Sequence, residues 1–316
     1  MSSVSVIIPA FNCEDCVIDA IRSAREQTHP PNEIIVVDDG SKDSTAELVS
    51  RYSKDIDSLT LLRHKENQGQ NAANNTGLEH ASSDFVAFLD ADDIWFHQKL
   101  SKQIALLEER GSDYIACYCG VIHEDPWKRR SRQMIEGFFS KALGLLDSGS
   151  SAEGSEKVIE KILSNRFYLG GMSTILVESE ICNQLGGFDE NILKATDQAF
   201  LLRVLEHGKI GYCDEDLVRK SGNRDTNATD MIRAKADFLR AFSDLVIEYE
   251  FKGINVIPNH KFDIAKYYLR EGKLMTGLKW LSQSKVPKRR DYFALAITLI
   301  EGVWESLQSY SKSLID

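Results

Sequence analysis

The 316-residue sequence contains no apolar run approaching the roughly 18 to 20 residues that a membrane span needs. No basic segment precedes its first short apolar run, VSVII, so no secretory leader is expected and the chain reads as cytoplasmic. Positive charge is in deficit: the formal net charge of −10 argues against broad attraction to nucleic acid. A phosphate-bearing ligand would therefore need a local cation, a metal ion or backbone amides. The six cysteines lack the spacing of a disulfide framework. Cys13 and Cys16 form a C-x-x-C, but Cys117 and Cys119 are only two apart and supply no matching second pair for zinc. Reduced thiols are the expectation.

What is present is ordinary for a globular protein, with 42 % hydrophobic and 27 % charged residues and enough length for one large core or a domain with an appendage. Residues 4 to 8 read as a buried strand ended by Pro9, and a helix is expected from about Glu14 to Gln27. IIVVDDGSKDST, residues 34 to 45, repeats the plan, with Ser44 or Thr45 near the cap of the next helix. LTLLRH and YIACYCGVI read as further strands. This alternation predicts a parallel sheet, whose ligands sit beyond the carboxyl ends of the strands. Asp38, Asp39, Asp90 and Asp92 all fall at such ends.

DFVAFLDADD, residues 84 to 93, is the most informative stretch. Val86 and Phe88 alternate with Phe85, Ala87 and Leu89 as in a strand, which breaks off into three acids. Asp90 and Asp92, two apart, project alike and suit one hard divalent ion such as Mg²⁺ or Mn²⁺. The plainer reading is a strand followed by an acidic helix cap at Asp93, since IWFHQKLSKQIALLEER looks helical.

VSVIIPAFN, VVDDGSKDST, NQGQNAANNTG, FLDADD, GGFDE and ATDQAFLLRVLEHG occur in this order over residues 4 to 208. Together they resemble the family 2 glycosyltransferases of the GT-A fold, inverting enzymes with nucleotide-sugar donors. The resemblance implies an α/β, Rossmann-like mixed sheet flanked by helices over residues 1–228, with a helical C-terminal extension over 229–316. It implies a nucleotide site at Pro9, Phe11, Glu14 and Asp39, with Asp90 near the ribose and Asp93 near the donor sugar. Asp92 would hold a divalent ion, Mn²⁺ or Mg²⁺, and Asp197 would be the general base. The donor expected is a nucleotide-sugar, with UDP preferred, and the acceptor a glycan, a lipid-linked carrier or a polysaccharide precursor.

Two departures stand out. Asn74 occupies the place of a family arginine that helps hold the nucleotide. DLVRKSGNRDTN lacks the family's histidine, leaving Arg219, Lys220 or Arg224 as candidates to neutralise phosphate. Two other classes are alternatives: a non-catalytic scaffold, favoured by these departures, and a sugar nucleotidyltransferase, disfavoured because PAFNCED is not a Gly-rich basic loop. FDIAKYYLREGKLMTGLKWLSQSKVP resembles a single tetratricopeptide-like hairpin. Residues 124 to 157, Gly/Ser-rich with a basic cluster at Lys128, Arg129, Arg130 and Arg132, read as a mobile loop over the donor. A second basic cluster, Lys285 to Arg290, precedes DYFALAITLIEGVWESLQSY. That helix reads as packed core, with a peripheral contact at the inner face of the cell membrane as the second reading.

Overall fold

The computed structural model describes residues 2–123, 152–167, 169–192, 195–221, 228–285, 295 and 298. Most of the expected donor loop, its basic cluster, Arg224 and nearly all of the C-terminal amphipathic stretch lie outside them, as does the Lys285 to Arg290 cluster beyond Lys285. The chain divides into two units, residues 1–159 with 168–223, and residues 160–167 with 224–316. The cut thus comes slightly before residue 228, and a short piece from mid-chain joins the second unit.

The first unit is built on strands β1 (Val4–Ala10), β2 (Glu33–Asp38), β3 (Leu59–Arg63), β4 (Phe85–Phe88), β5 (Asp93–Trp95), β6 (Tyr114–His123), β7 (Leu176–Glu178) and β8 (Lys209–Lys220). They form one sheet in the order β3-β2-β1-β4-β7-β6-β8-β5. The first four are parallel, as the strand–helix rhythm predicts. Beyond them the sheet is mixed, as the family resemblance implies: β7 runs antiparallel to β4 and β6, and β5 antiparallel to β8. Helices α1 (Val17–Arg25), α2 (Thr45–Tyr52), α3 (Gln70–His80), α4 (Lys99–Arg110), α5 (Glu156–Leu163, shared with the second unit), α6 (Ser179–Leu185) and α7 (Thr196–Val204) follow in chain order. Val6, Ile8, Ile34, Val36, Ala87 and Leu89 belong to one continuous buried core.

Pro9 does not end β1 but sits inside it, opposite Val37. The pairing of β1 with β4 stops at Ile7, so at Pro9 no partner on that side needs an amide donor. The helix read from Ile94 onward is also corrected. Asp93 opens β5 rather than capping a helix, and α4 begins only at Lys99, after Gln98. Between its pairings Cys119–Cys213 and Val121–Val218, β8 advances five residues while β6 advances two, so β8 carries a pronounced bulge. Gly120 accommodates it, because a Cβ there would lie 2.3 Å from Asp216 Oδ1.

In the second unit, α8 (Ala228–Ala241), α9 (Ser243–Phe251), α10 (Val256–Arg270) and α11 (Leu274–Ser282) are helical. The last two form the hairpin read from the sequence, turning through Gly272 at φ 73°. Gly277 lets them close, since a Cβ there would come within 2.5 Å of the Leu269 side chain. His260 is buried, and its Nε2–H donates to Leu163 O at 2.9 Å while Nδ1 has no hydrogen-bond partner. Burial, with nearby Lys235, lowers its pKa to about 4.

The unfolded chain takes up a proton at His260 near pH 6.5, and the folded chain resists it until about pH 4. Stability is therefore present above the unfolded value and is lost as pH falls through this window. Urea unfolding at pH 7 and pH 5 should differ by about 2 kcal/mol from this group alone. His260→Gln should flatten that dependence, and an unchanged slope would show that the histidine does not carry it.

Candidate functional site

After β4 the chain turns sharply: Asp93 N–H donates to Asp90 O at 2.9 Å. This turn, rather than strand alternation, gathers the acids. Ligand oxygens of Asp90, Asp92 and Asp93 lie within 4.8 Å of one another. Three carboxylates at this spacing repel unless donors or cations compensate. Gln70 Nε2, on the first turn of α3, donates to Asp90 Oδ1 at 2.7 Å. Ser173 Oγ accepts from Asp90 N–H at 3.0 Å and donates to Asp93 Oδ2 at 2.6 Å. Lys220, at the end of β8, places Nζ 2.8 Å from Asp93 Oδ2 and 3.3 Å from Asp90 Oδ2.

Burial pushes the fully enclosed Asp93 up to about 6, with Lys220 as the main restraint. Burial also opposes the charge on Lys220, but Asp90 and Asp93 outweigh it and raise its pKa. Asp93 Oδ1 is buried with no hydrogen-bond partner. That orphaned acceptor and the all-oxygen donor set fit a hard divalent ion.

Asp39 lies just past β2, 3 % exposed. Its carboxylate accepts from Gln68 N–H, Gly69 N–H and His64 Nδ1 at 2.9, 2.8 and 2.7 Å. His64 Nε2 in turn meets Thr76 Oγ1 at 2.9 Å, which anchors the loop entering α3. Gly40, at φ 72°, allows this approach, because a Cβ would lie 2.6 Å from the Glu66 carbonyl carbon. Phe11 is exposed beside the loop leaving Pro9. Glu14 Oε2 accepts from Ser44 N–H at 2.8 Å, so it joins the first two strand-end loops. Asp43, rather than Ser44 or Thr45, serves the start of α2, accepting from Thr45 N–H at 3.0 Å. Asn74 is 1 % exposed, and its Oδ1 has no partner. The C-x-x-C thiols are free, and burial holds Cys13 up at about 12.

Asp197 stands on the first turn of α7, after Ala195 in the left-handed region at φ 57°. An aromatic trio fixes this helix against the sheet: Phe188 stacks on Phe200 at 4.2 Å, and Phe88 meets them edge-on at 5.2 and 5.8 Å. Phe200 lies about one turn beyond Asp197, and Phe88 two residues before Asp90. From α3, Asn75 exchanges hydrogen bonds with the Phe188 backbone at 2.7 and 3.0 Å. Burial raises the Asp197 pKa, the Gln198 N–H and Lys220 lower it, and Asp90 raises it. The base candidate and the acid turn therefore share one electrostatic environment.

The sequence marks Lys220 only as one of three cations near phosphate, and nothing in it singles out Gln70, Ser173 or His64. Their partners are 12 to 130 residues away, and no local pattern marks them.

A mixed sheet with its polar residues gathered past the strand ends defines a GT-A class of α/β protein. TarS 1–349 of S. aureus in complex with UDP-GlcNAc shares the fold at a TM-score of 0.56 and 17 % identity, over 98 % of this chain and 92 % of that one. So does the mannosyltransferase PcManGT of Pyrobaculum calidifontis in complex with GDP-Man and Mn²⁺, at 0.58 and 20 %, over 98 % and 84 %. The chain belongs to glycosyl transferase family 2, whose profile matches residues 5–173. Among relatives, the putative teichuronic acid biosynthesis glycosyltransferase TuaG of Bacillus subtilis is 41 % identical over 107 residues, 34 % of this chain and 42 % of TuaG. An uncharacterized glycosyltransferase of Rickettsia felis is 30 % identical over 71 % of this chain and 34 % of its own length. The matches thus span less than half the length of these relatives.

Ser173→Ala should leave the Asp90 amide unpaired and Asp93 held by Lys220 alone. A loss of about 1–3 kcal/mol in urea unfolding is expected. A neutral result would mean that Ser173 does not hold the acid turn together.

Proposed function

We propose that the protein is an inverting glycosyltransferase that moves one sugar from a nucleotide-sugar donor to a hydroxyl group. The observation that carries this reading is the pairing of a clustered acid turn, Asp90, Asp92 and Asp93, with a separate carboxylate, Asp197, whose pKa burial raises. A leaving-group site and a separate carboxylate to serve as base are what a one-step displacement requires. Asp197 takes the acceptor hydroxyl proton, the oxygen attacks the anomeric carbon, and the nucleoside diphosphate departs from the opposite face. Asp92, flanked by Asp90 and Asp93, would hold a divalent ion, which when bound would supply Lewis-acid stabilisation of the departing diphosphate. Pro9, Phe11, Glu14, Asp39 and Asn74 frame the nucleotide.

UDP is the preferred nucleotide, supported by the TarS complex, with GDP as the alternative that PcManGT suggests. A glycan, lipid-linked carrier or polysaccharide precursor as acceptor is supported by TuaG, whose name assigns it to teichuronic acid biosynthesis. The catalytic part is residues 1–228, with 229–316 as a helical extension. Among the described residues no helix is long and apolar enough to cross a membrane. A lipid-linked acceptor would be met at the inner membrane face.

Melting curves with UDP, GDP, CMP and dTDP, each with and without Mn²⁺, test the donor site. Ligand at about 100 times its dissociation constant adds about 2.7 kcal/mol of stability. A metal-dependent shift with one nucleotide, abolished by Asp92→Ala, is expected; silence with all four would favour a non-catalytic scaffold.

Asp197→Asn should keep that shift while lowering turnover by about 10²- to 10⁴-fold. In the wild type, kcat/KM should rise with pH through the Asp197 pKa, so its acid limb should lie above the ordinary value of about 4. A limb at or below 4, or an active Asn variant, would remove Asp197 from the base role.

A further inference from the structure

Lys220 lies opposite Asp93 in the antiparallel register of β5 and β8. One tethered ammonium thereby holds two of the three clustered carboxylates, at 2.8 and 3.3 Å. Its seat is shaped for it. Gly171, at φ 93°, flanks the ammonium so closely that a Cβ would lie 2.6 Å from Nζ. The side chain is 18 % exposed, unlike a solvated surface lysine.

The acids that Lys220 occupies are those that fit a divalent ion. A carboxylate oxygen already bonded to ammonium is a poorer ligand, and a positive charge beside the turn repels a second cation. Lys220 can release Asp90 and Asp93 without stranding its own charge only if another anion accepts the ammonium. The diphosphate of a nucleotide has the right charge and the acceptor oxygens, and it enters this site if the glycosyl-transfer reading holds. On that reading, we propose that Lys220 competes with the divalent ion for Asp90 and Asp93, so that metal alone binds weakly and metal with nucleoside diphosphate binds together. Lys220 thus makes the acid turn a metal–diphosphate site rather than a metal site.

The test is direct Mn²⁺ binding, read from the EPR signal of the free ion, with and without UDP or GDP, whichever raises the melting temperature. In the wild type, nucleotide should strengthen Mn²⁺ binding by about tenfold or more. Lys220→Gln, which keeps a hydrogen-bond donor but loses the charge, should raise nucleotide-free Mn²⁺ affinity about tenfold and shrink the gain from nucleotide. Lys220→Arg, which keeps the charge, should behave as the wild type. Gly171→Ala, which crowds the ammonium away from the acids, should act like Lys220→Gln and decides the matter if that variant does not fold.

A folded Lys220→Gln protein with unchanged or weaker nucleotide-free affinity overturns the proposal while leaving the donor site standing. Wild-type protein whose Mn²⁺ binding ignores every nucleotide overturns the proposal and the glycosyl-transfer reading together.

Discussion

Mutual repulsion among Asp90, Asp92 and Asp93 is the constraint to which the surrounding structure answers. Unit charges 4 Å apart repel by about 1 kcal/mol in bulk water and by several times that near a protein surface. Such a turn persists only if neighbours supply donors and positive charge. They come from every side of the sheet's end: Gln70 from α3, Ser173 from the turn before β7, and Lys220 from the last residue of β8. Trp95 Nε1–H donates to Ser173 O at 2.8 Å, and Gln103 Nε2–H to Thr174 O at 2.8 Å. The segment that steadies the acids is therefore itself fastened to β5 and α4.

Asp197 answers to different forces. Its position comes from aromatic packing, through Phe88, Phe188 and Phe200, and from α3, where Asn75 holds the Phe188 backbone and Asn71 Nδ2 donates to Asp189 O and Ile192 O. Phe88 belongs to both systems, since it ends the strand that delivers the acids and supports the helix that delivers Asp197. The same hydrophobic contact thus sets the spacing between two carboxylate sites that both feel Lys220 and Asp90.

Much of this was legible in the sequence where the signal was local. The branched apolar runs of β1 and β2, the alternation in β4, and the acids at the strand ends all reflect periodicities a few residues long. The errors came from pairings distant in sequence. β5 is three residues long, and only its ladder with β8, more than 100 residues on, distinguishes it from the start of a helix. Pro9 looked like a terminator because nothing local reveals that β4 stops pairing at Ile7. Lys220 was one basic residue among three, and its partners are fixed by a register that no short motif encodes.

The bulge in β8 gives that register a particular meaning. Alternate residues of a strand face opposite sides, so an odd excess of residues exchanges the two faces for everything downstream. β8 spends three more residues than β6 on crossing the bulge, and Lys220 rather than Arg219 then meets Asp90 and Asp93. Insertions and deletions in this piece of strand are consequently not neutral length changes of the kind surface loops absorb. Losing a single residue between Cys213 and Val218 would rewrite which side chain addresses the acids, with no change to the acids themselves. Relatives of this chain could in this way diverge in how they handle a cation through strand length alone, while every acidic motif stayed intact.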